Sequence, residues 1–212
     1  MCGRFILLTD LAALAEAFDV EEIATEYRPA ADICPTQQVA AIVLTNKKKL
    51  VTLRWGLIPA WADDPSLGSR MFNARAETLA EKPSFKEAFQ RRRCLIPADG
   101  FYEWQKAGNR KRPLLYSLTS GRPFGMAGLY ETWVSPARER IHSCTIITTD
   151  ANDLIRPVHD RMPVIVPKES EAAWLDPRSV RPAELAPLLK PYPAREMAVR
   201  EVDANMLPRA DG

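Results

Sequence analysis

The chain has 212 residues, of which 46% are hydrophobic and 26% are charged. This balance excludes disorder, collagen-like repeats and a coiled coil as the main state, and the apolar runs are far shorter than the ~20 residues that span a bilayer. The net charge of +2 indicates no particular partner. Arginine makes up 20 of the 29 basic residues. This suits phosphate recognition or simply reflects genomic base composition, and the positions of the arginines decide between the two explanations.

In chain order, the first predicted element is a short helix that Thr9 or Asp10 caps and that ends at Phe18, because Leu11, Leu14, Ala15 and Phe18 follow helical spacing. Apolar, β-branched runs over residues 39–45 and 50–58 predict a hairpin whose turn is a solvated run at 46–49. Ser84 and Glu87 have the spacing of a capping box and predict a helix that ends near residues 91–93.

The middle of the chain favours strands over residues 94–104, 113–119, 124–133 and 141–149, with turns at 107–109 and 120–121. Short helices are predicted over 169–175 and 182–190, with a short strand over 164–166 and a closing strand over 199–202. Eighteen prolines and no low-complexity linker indicate one domain over residues 1–212. We therefore predict a single α+β domain.

The four cysteines, Cys2, Cys34, Cys94 and Cys144, lie far apart and form no metal-ligand spacing with His142 or His159. We expect no metal and no cofactor. Cys34, Cys94 and Cys144 are interpreted as small buried hydrophobic residues.

Cys2 differs, because removal of Met1 is expected before so small a side chain and leaves Cys2 as the N-terminal residue. Its α-amine (pKa ~7.7 to 8.0) and its thiol (~8.5) are then both nucleophiles near neutral pH. Such a 1,2-aminothiol condenses with an aldehyde to an imine and closes to a thiazolidine. The alternative is a disordered terminal cysteine without a function.

Three further segments combine polar groups that suit chemistry. Residues 71–78 carry Asn73, Arg75 and Glu77, which could orient an amine and bind phosphate or simply hydrogen-bond within a loop. Residues 100–104 place Glu103 among aromatic residues, where burial would raise its pKa or an arginine would pair with it. Residues 158–163 place His159 at a strand entrance, as a proton carrier or as a loop cap.

Taken together, these segments resemble the SRAP family, the SOS response-associated peptidases, over residues 2–205. The resemblance rests on four ordered motifs: Met1-Cys2-Gly3-Arg4-Phe5, Asn73-Ala74-Arg75-Ala76-Glu77-Thr78, Gly100-Phe101-Tyr102-Glu103-Trp104 and His159-Asp160-Arg161-Met162-Pro163. It implies a distorted β-barrel-like core of mostly antiparallel strands with short peripheral helices. It also implies a basic groove for single-stranded DNA.

The resemblance further implies an abasic-site sensor that forms a thiazolidine between Cys2 and the ring-opened deoxyribose and shields the site during the DNA damage response. In that mechanism Asn73 holds the α-amine, Glu103 transfers protons and His159 assists ring opening. AP lyase activity and self-removal of Met1 come with the same resemblance. The implied DNA contacts are Arg4, Arg75, Arg161, Thr148, Trp61 and Pro35.

One segment departs from the family pattern. The family has an asparagine three residues before the proline of the Pro35 loop, whereas this chain has Asp32. An aspartate beside DNA would repel phosphate, so we expect altered affinity or strand preference.

Two other functions fit the same residues. Cys2 with His159 could form the dyad of a cysteine peptidase or N-terminal-nucleophile hydrolase, or the chain could bind nucleic acid without chemistry. We rank the DNA reading first and expect a monomeric cytoplasmic protein that acts at the nucleoid on single-stranded DNA containing abasic sites, without a membrane partner. Protein partners cannot be inferred from the sequence.

Overall fold

Strands make up most of the regular secondary structure in the computed structural model, which describes residues 2–108, 110–179 and 181–203. The strands are β1 Phe5–Leu7, β2 Glu22–Ile23, β3 Ala30–Ile33, β4 Gln38–Leu44, β5 Lys48–Trp55, β6 Asn73–Arg75, β7 Arg93–Ala98, β8 Gly100–Ala107, β9 Arg110–Leu118, β10 Phe124–Val134, β11 Arg140–Asp150, β12 Arg161–Pro163, β13 Ile165–Val166 and β14 Met197–Glu201. The helices are α1 Leu11–Ala17, α2 Lys86–Arg91, α3 Glu171–Leu175 and α4 Pro182–Leu185. Short 3₁₀ segments connect several of them.

Five of the strands close on themselves as a barrel. The order β5-β4-β7-β10-β11 is antiparallel throughout, and a parallel pairing of β11 with β5 completes the ring through Ser143 with Arg54 and Cys144 with Trp55. Residues such as Ile42, Leu95 and Ile146 are buried in the core. The α+β class and the barrel-like core with short helices outside it are therefore confirmed.

A second sheet of five strands, in the order β14-β9-β8-β1-β3, lies beside the barrel. The chain crosses from β7 in the barrel to β8 in this sheet at Asp99, whose carboxylate accepts from the backbone N–H groups of Leu8 and Thr9. The predicted continuous strand over 94–104 is therefore wrong. Asp99 thus ties the point where the chain changes sheets to the backbone N–H groups that precede α1.

The predictions for the first hundred residues are partly confirmed. Asp10 caps α1 by accepting from the N–H of Ala13 at 3.0 Å, and β4 and β5 form the expected hairpin. The solvated turn at 46–49 is wrong in part, because β5 already begins at Lys48. Lys48 binds Asp19 at 3.2 Å and Lys49 binds Glu22 at 2.9 Å, so both lysines tie the hairpin to neighbouring segments.

The capping box at Ser84 is also wrong. The helix α2 begins at Lys86, so that Phe85 rather than Ser84 occupies the N-cap position and no side chain caps the helix. The N–H groups of Phe85 and Lys86 are bonded to the carbonyl of Lys82 in the preceding turn. Arg93 lies in β7, and its buried guanidinium donates to the carbonyls of Phe89 and Gln90 at the end of α2.

Later elements largely agree with the predictions, with shorter helices than expected near 169–175 and 182–190. The strands β9, β10, β11 and β14 cover the predicted segments, and the predicted turn at 107–109 includes Asn109, which lies outside the described residues. The sequence did not predict β1, β2, β3, β6 or β12, which are two to four residues long. Strands this short show no periodicity.

Two of these short strands position the candidate site. Both β6 and β12 pair with the end of β11: Thr148 faces Arg75 of β6 and Asp150 faces Arg161 of β12. The end of β11 thus brings the second and the fourth sequence motifs side by side. The described residues include no helix that is long and apolar enough to cross a membrane.

Candidate active site

Cys2 lies fully buried next to Asn73. The Nδ2 group of Asn73 donates to the backbone carbonyl of Cys2 at 2.8 Å, which links the N-terminal segment to β6. The other amide atom, Oδ1, is buried and accepts from none of the described residues. An unused buried acceptor costs free energy, and here it lies beside the residue whose α-amine the sequence analysis identified as a nucleophile.

Glu103 lies on β8, next to the N-terminal segment. The N–H of Tyr102 donates to the carbonyl of Arg4 at 2.9 Å, which aligns the two strands. Glu103 is 5% exposed, and burial, aided by the charge of Asp160, raises its pKa to about 7. A carboxyl group with this pKa can both donate and accept a proton near neutral pH.

The environment of the Cys2 thiol differs from that of a peptidase nucleophile. Burial and the nearby charge of Glu103 raise the pKa of the Cys2 thiol. A cysteine peptidase needs the opposite shift, since its thiolate is the nucleophile. The thiol is therefore protonated at neutral pH until a base removes its proton.

His159 precedes β12 and is partly buried. The N–H of Arg161 donates to its Nδ1 at 2.9 Å, and the Asp160 carboxylate lies 2.9 Å from the same atom. The Asp160 carboxylate accepts from Nδ1 when the ring carries a proton there, and the Arg161 N–H donates to Nδ1 when it does not, so the two contacts hold the ring in place in either state. Burial lowers the pKa of His159, which keeps the ring neutral at pH 7.

The Arg161 side chain is buried, and both of its terminal nitrogens bind other groups of the protein. Its guanidinium binds both carboxylate oxygens of Glu77, at 2.8 and 2.9 Å, as well as Asp150 at 2.8 Å. It also donates to the carbonyl of Thr148 at 2.7 Å, and the Thr148 side chain itself is buried. Two of the predicted DNA contacts are thus bonded to each other in this structure.

Arg4 is also paired. Its Nε lies 2.9 Å from Asp32, the residue that departs from the family pattern, and its guanidinium lies over the ring of Trp104 at 5.5 Å. The same Nε is 3.3 Å from the sulfur of Cys34. Cys34 is therefore only partly buried in a polar cluster, and its interpretation as a buried hydrophobic residue is wrong, whereas Cys94 and Cys144 are fully buried as expected.

The remaining predicted contacts lie at the surface. Arg75 is exposed and pairs with no carboxylate in the described part of the chain. Trp61 is 59% exposed, in a loop that a close approach of Gly56 and Gly68 anchors: a Cβ on Gly56 would lie 2.5 Å from the Gly68 carbonyl oxygen. Pro35 is partly exposed in the loop before β4.

The structure thus joins Cys2 and Asn73 by a hydrogen bond and places Glu103 close enough for its charge to act on the Cys2 thiol. The charge of Asp160, the neighbour of His159, acts in turn on Glu103. Sequence reasoning missed the roles of Glu77 and Asp150 as partners of Arg161. It also missed Tyr116, whose pKa burial and the charge of Glu103 raise to about 12. No group of three potential metal ligands occurs among the residues that the structure describes.

The molecule is thus an α+β protein with a barrel core, in which a buried cysteine at position 2 lies beside an asparagine amide and near a carboxyl group of raised pKa. The family model described as "SOS response associated peptidase (SRAP)" matches residues 1–207. The chain belongs to the SRAP family.

Its relatives include abasic site processing protein YoqW of Bacillus subtilis (strain 168), 43% identical over 96% of this chain and 93% of that protein. Abasic site processing protein HMCES of Xenopus tropicalis is 32% identical over 69% of this chain and 51% of its own length. A solved structure of a Bacteroides thetaiotaomicron protein is 28% identical, with a TM-score of 0.88 over 96% of this chain and 93% of its own. The fold is therefore shared with that structure.

Proposed function

We propose that this protein captures abasic sites in single-stranded DNA as a thiazolidine on Cys2, after removal of Met1, and so shields them during the DNA damage response. The observation that carries the proposal is the contact of Asn73 with Cys2. Its Nδ2 fixes the Cys2 carbonyl, and its buried Oδ1 supplies an acceptor for the α-amine that Met1 removal creates. The relatives are named abasic site processing proteins, which supports the substrate class.

The reaction follows from the protonation states of the site. The α-amine of Cys2 adds to the aldehyde carbon, and the neutral acid form of Glu103 protonates the resulting hydroxyl so that water leaves and an iminium remains. The Cys2 thiol then gives its proton to the Glu103 carboxylate, and the sulfur adds to the same carbon. Glu103 gives one proton and regains one, which suits a pKa of about 7.

His159 serves the step before condensation. An abasic deoxyribose is mainly a closed hemiacetal, and its ring opens when the C1′–O4′ bond breaks, O4′ gains a proton and the 1′-hydroxyl loses one. We assign the proton transfer of this step to His159: its ring takes up the proton of the 1′-hydroxyl and gives a proton to O4′, so that it ends in the protonation state in which it began. The proposal thus assigns His159 to ring opening and Glu103 to condensation.

The same proposal includes self-removal of Met1 and an AP lyase activity, since an iminium acidifies the neighbouring carbon and permits strand cleavage. It places a monomer in the cytoplasm, at the nucleoid. The cysteine peptidase alternative needs a thiolate, and the raised pKa of the Cys2 thiol disfavours it. A binding module without chemistry would leave the pKa of Glu103 and the unused acceptor of Asn73 without a purpose.

The test is a denaturing gel of the purified protein with a single-stranded oligonucleotide that carries one abasic site, after intact mass has confirmed the loss of Met1. We expect a heat-stable shifted band. A second preparation with an unremovable residue before Cys2 keeps the thiol but turns the amine into an amide. It should bind the DNA and give no band, at least a hundredfold loss of product.

Cys2→Ala is the matched control, because it keeps a terminal amine and lacks the thiol. It should give a Schiff base that borohydride captures, but no stable band without reduction. If the extended protein crosslinks as fast as the mature one, the α-amine is not the attacking group and the proposal is wrong. If the mature and the extended protein both cleave a peptide and Cys2→Ala does not, the peptidase alternative is correct.

A further inference from the structure

Arg161 has more anionic partners than its single charge requires. Glu77 binds it through both oxygens and Asp150 binds it through one, so that one guanidinium faces two carboxylates. The local sum of these three formal charges is negative. A group in this position cannot attract a DNA phosphate as it stands, although it lies beside His159 in the candidate site.

The two carboxylates differ from the arginine in exposure. The Arg161 side chain is 10% exposed, whereas Glu77 is 49% and Asp150 is 74% exposed. The Nε of Arg161 is buried and has no hydrogen-bond partner among the described residues. The carboxylates therefore cover the arginine from the solvent side and can swing outward, while the arginine is fixed and retains an unused donor.

Arg75 on the neighbouring strand shows the contrasting state. The end of β11 pairs with β6 at Thr148 and Arg75, and with β12 at Asp150 and Arg161. Arg75 is exposed without an ion pair in the described ranges, but its charge lowers the pKa of Glu77. One strand end thus presents one available and one occupied guanidinium within reach of the same acidic residue.

We propose that Glu77, with Asp150, is an internal counterion of Arg161 that a DNA phosphate must displace, so that Glu77 sets how weakly the protein binds undamaged single strands. The inference rests on the proposed function. The exchange breaks no covalent bond, since each guanidinium N–H that leaves a carboxylate oxygen is taken up by a phosphate oxygen. Retention at an abasic site then depends on the covalent step rather than on phosphate contacts alone.

The test measures binding of undamaged single-stranded oligonucleotides to Glu77→Gln across a series of salt concentrations. The amide keeps the size of the side chain but removes its charge, so a phosphate no longer competes with a carboxylate. We expect severalfold tighter binding at low salt and a salt dependence that is steeper by up to about 0.7 units, the value for one phosphate on a single strand. Asp150→Asn, with a single bond to Arg161, should show a smaller gain.

Glu81→Gln is the matched control, because it removes the same charge from an exposed position without an ion pair in the described chain. A gain in Glu81→Gln equal to that in Glu77→Gln would reduce the effect to net charge and overturn the inference. So would an equal gain from Glu77→Gln in an Arg161→Ala background, where there is no guanidinium to release. A melting curve identifies a variant that does not fold, and Asp150→Asn then serves as the test.

The failure of this inference can be distinguished from failure of the proposed function. If the wild-type protein crosslinks to an abasic site but Glu77→Gln binds undamaged strands no tighter, only the counterion role is wrong. If no crosslink forms, the proposed chemistry is wrong, whatever the binding data show.

Discussion

The two halves of the candidate site contrast in how their buried polar groups are satisfied. Around Cys2, the Oδ1 of Asn73 has no described partner and the Glu103 carboxyl group has a raised pKa. Around Arg161, by contrast, two carboxylates and a carbonyl surround one guanidinium. The two halves also differ in exposure, because Cys2 is fully buried whereas the carboxylates of Glu77 and Asp150 are 49% and 74% exposed. Under the proposed function, the Cys2 half receives the substrate directly, whereas the Arg161 half must first release its own partners.

The largest expected effect of a point substitution tests the Cys2 half. Glu103→Gln should slow crosslinking about a hundredfold, since it removes the group that expels water and deprotonates the thiol, while DNA affinity stays nearly unchanged. In the wild type, the acid form of Glu103 is lost as the pH rises through about 7, while the free α-amine increases toward pH 8. The rate should therefore pass through a maximum, and Glu103→Gln should lose the decline on the alkaline side.

Stability provides an independent measure of the same carboxyl group. Its pKa is raised from 4.5 to about 7 in the folded state, so its contribution to stability is present below pH 4.5 and is lost as the pH rises through 7. A glutamine avoids that loss. Glu103→Gln should match the wild type at low pH and exceed it by roughly 1 to 3 kcal/mol at pH 8 in urea unfolding. In the crosslinking assay, equal rates for the wild type and Glu103→Gln would remove Glu103 from the mechanism.

A smaller effect is expected at His159, where the two halves meet. Its Nδ1 lies 2.9 Å from the backbone nitrogen of Arg161 and from the Asp160 carboxylate, and its ring is assigned to the proton transfer of ring opening. His159→Ala should slow crosslinking about tenfold or more with a natural abasic site, and much less with a permanently open aldehyde. The measurement compares single-turnover rates on the two substrates. Comparable slowing on both would give His159 a different role from ring opening.

The sequence predicted the barrel strands β4, β5, β10 and β11 because each has seven or more residues with a clear apolar pattern. It did not predict β1, β6 or β12. Asn73 and Arg161 lie in β6 and β12, and Arg4 directly precedes β1. The structure of these short strands comes from pairing with distant strands such as β8 and β11, which local residue patterns do not record. The site residues were recognised instead through motifs, which identify chemistry without geometry.

The partners of those residues were the part that the sequence could not give. Asp32 was expected to repel phosphate, and in the structure it neutralises Arg4 at 2.9 Å. Glu77 and Asp150 lie 84 and 11 positions from Arg161 in the chain, and only the two pairings of β11 bring all three together. A sequence does not distinguish an arginine that is paired with carboxylates from one that is available to phosphate. Arg4, Arg75 and Arg161 were therefore all predicted to contact DNA.

The smallest expected effect distinguishes these arginines. Arg75 has no carboxylate to leave behind, so Arg75→Ala should weaken binding to single strands of any sequence, flatten the salt dependence by about 0.7 units or less, and leave the melting temperature unchanged. Arg161→Ala leaves Glu77 and Asp150 beside each other without their cation and removes a donor from the Thr148 carbonyl. It should therefore lower the melting temperature by several degrees, since an ion network that loses one partner is destabilised more than an exposed site is. Melting curves and salt titrations of both variants show which guanidinium is available to phosphate and which is occupied by carboxylates. If Arg75→Ala destabilises the fold as much as Arg161→Ala does, Arg75 is a structural residue, and the contrast between an available and an occupied guanidinium does not hold.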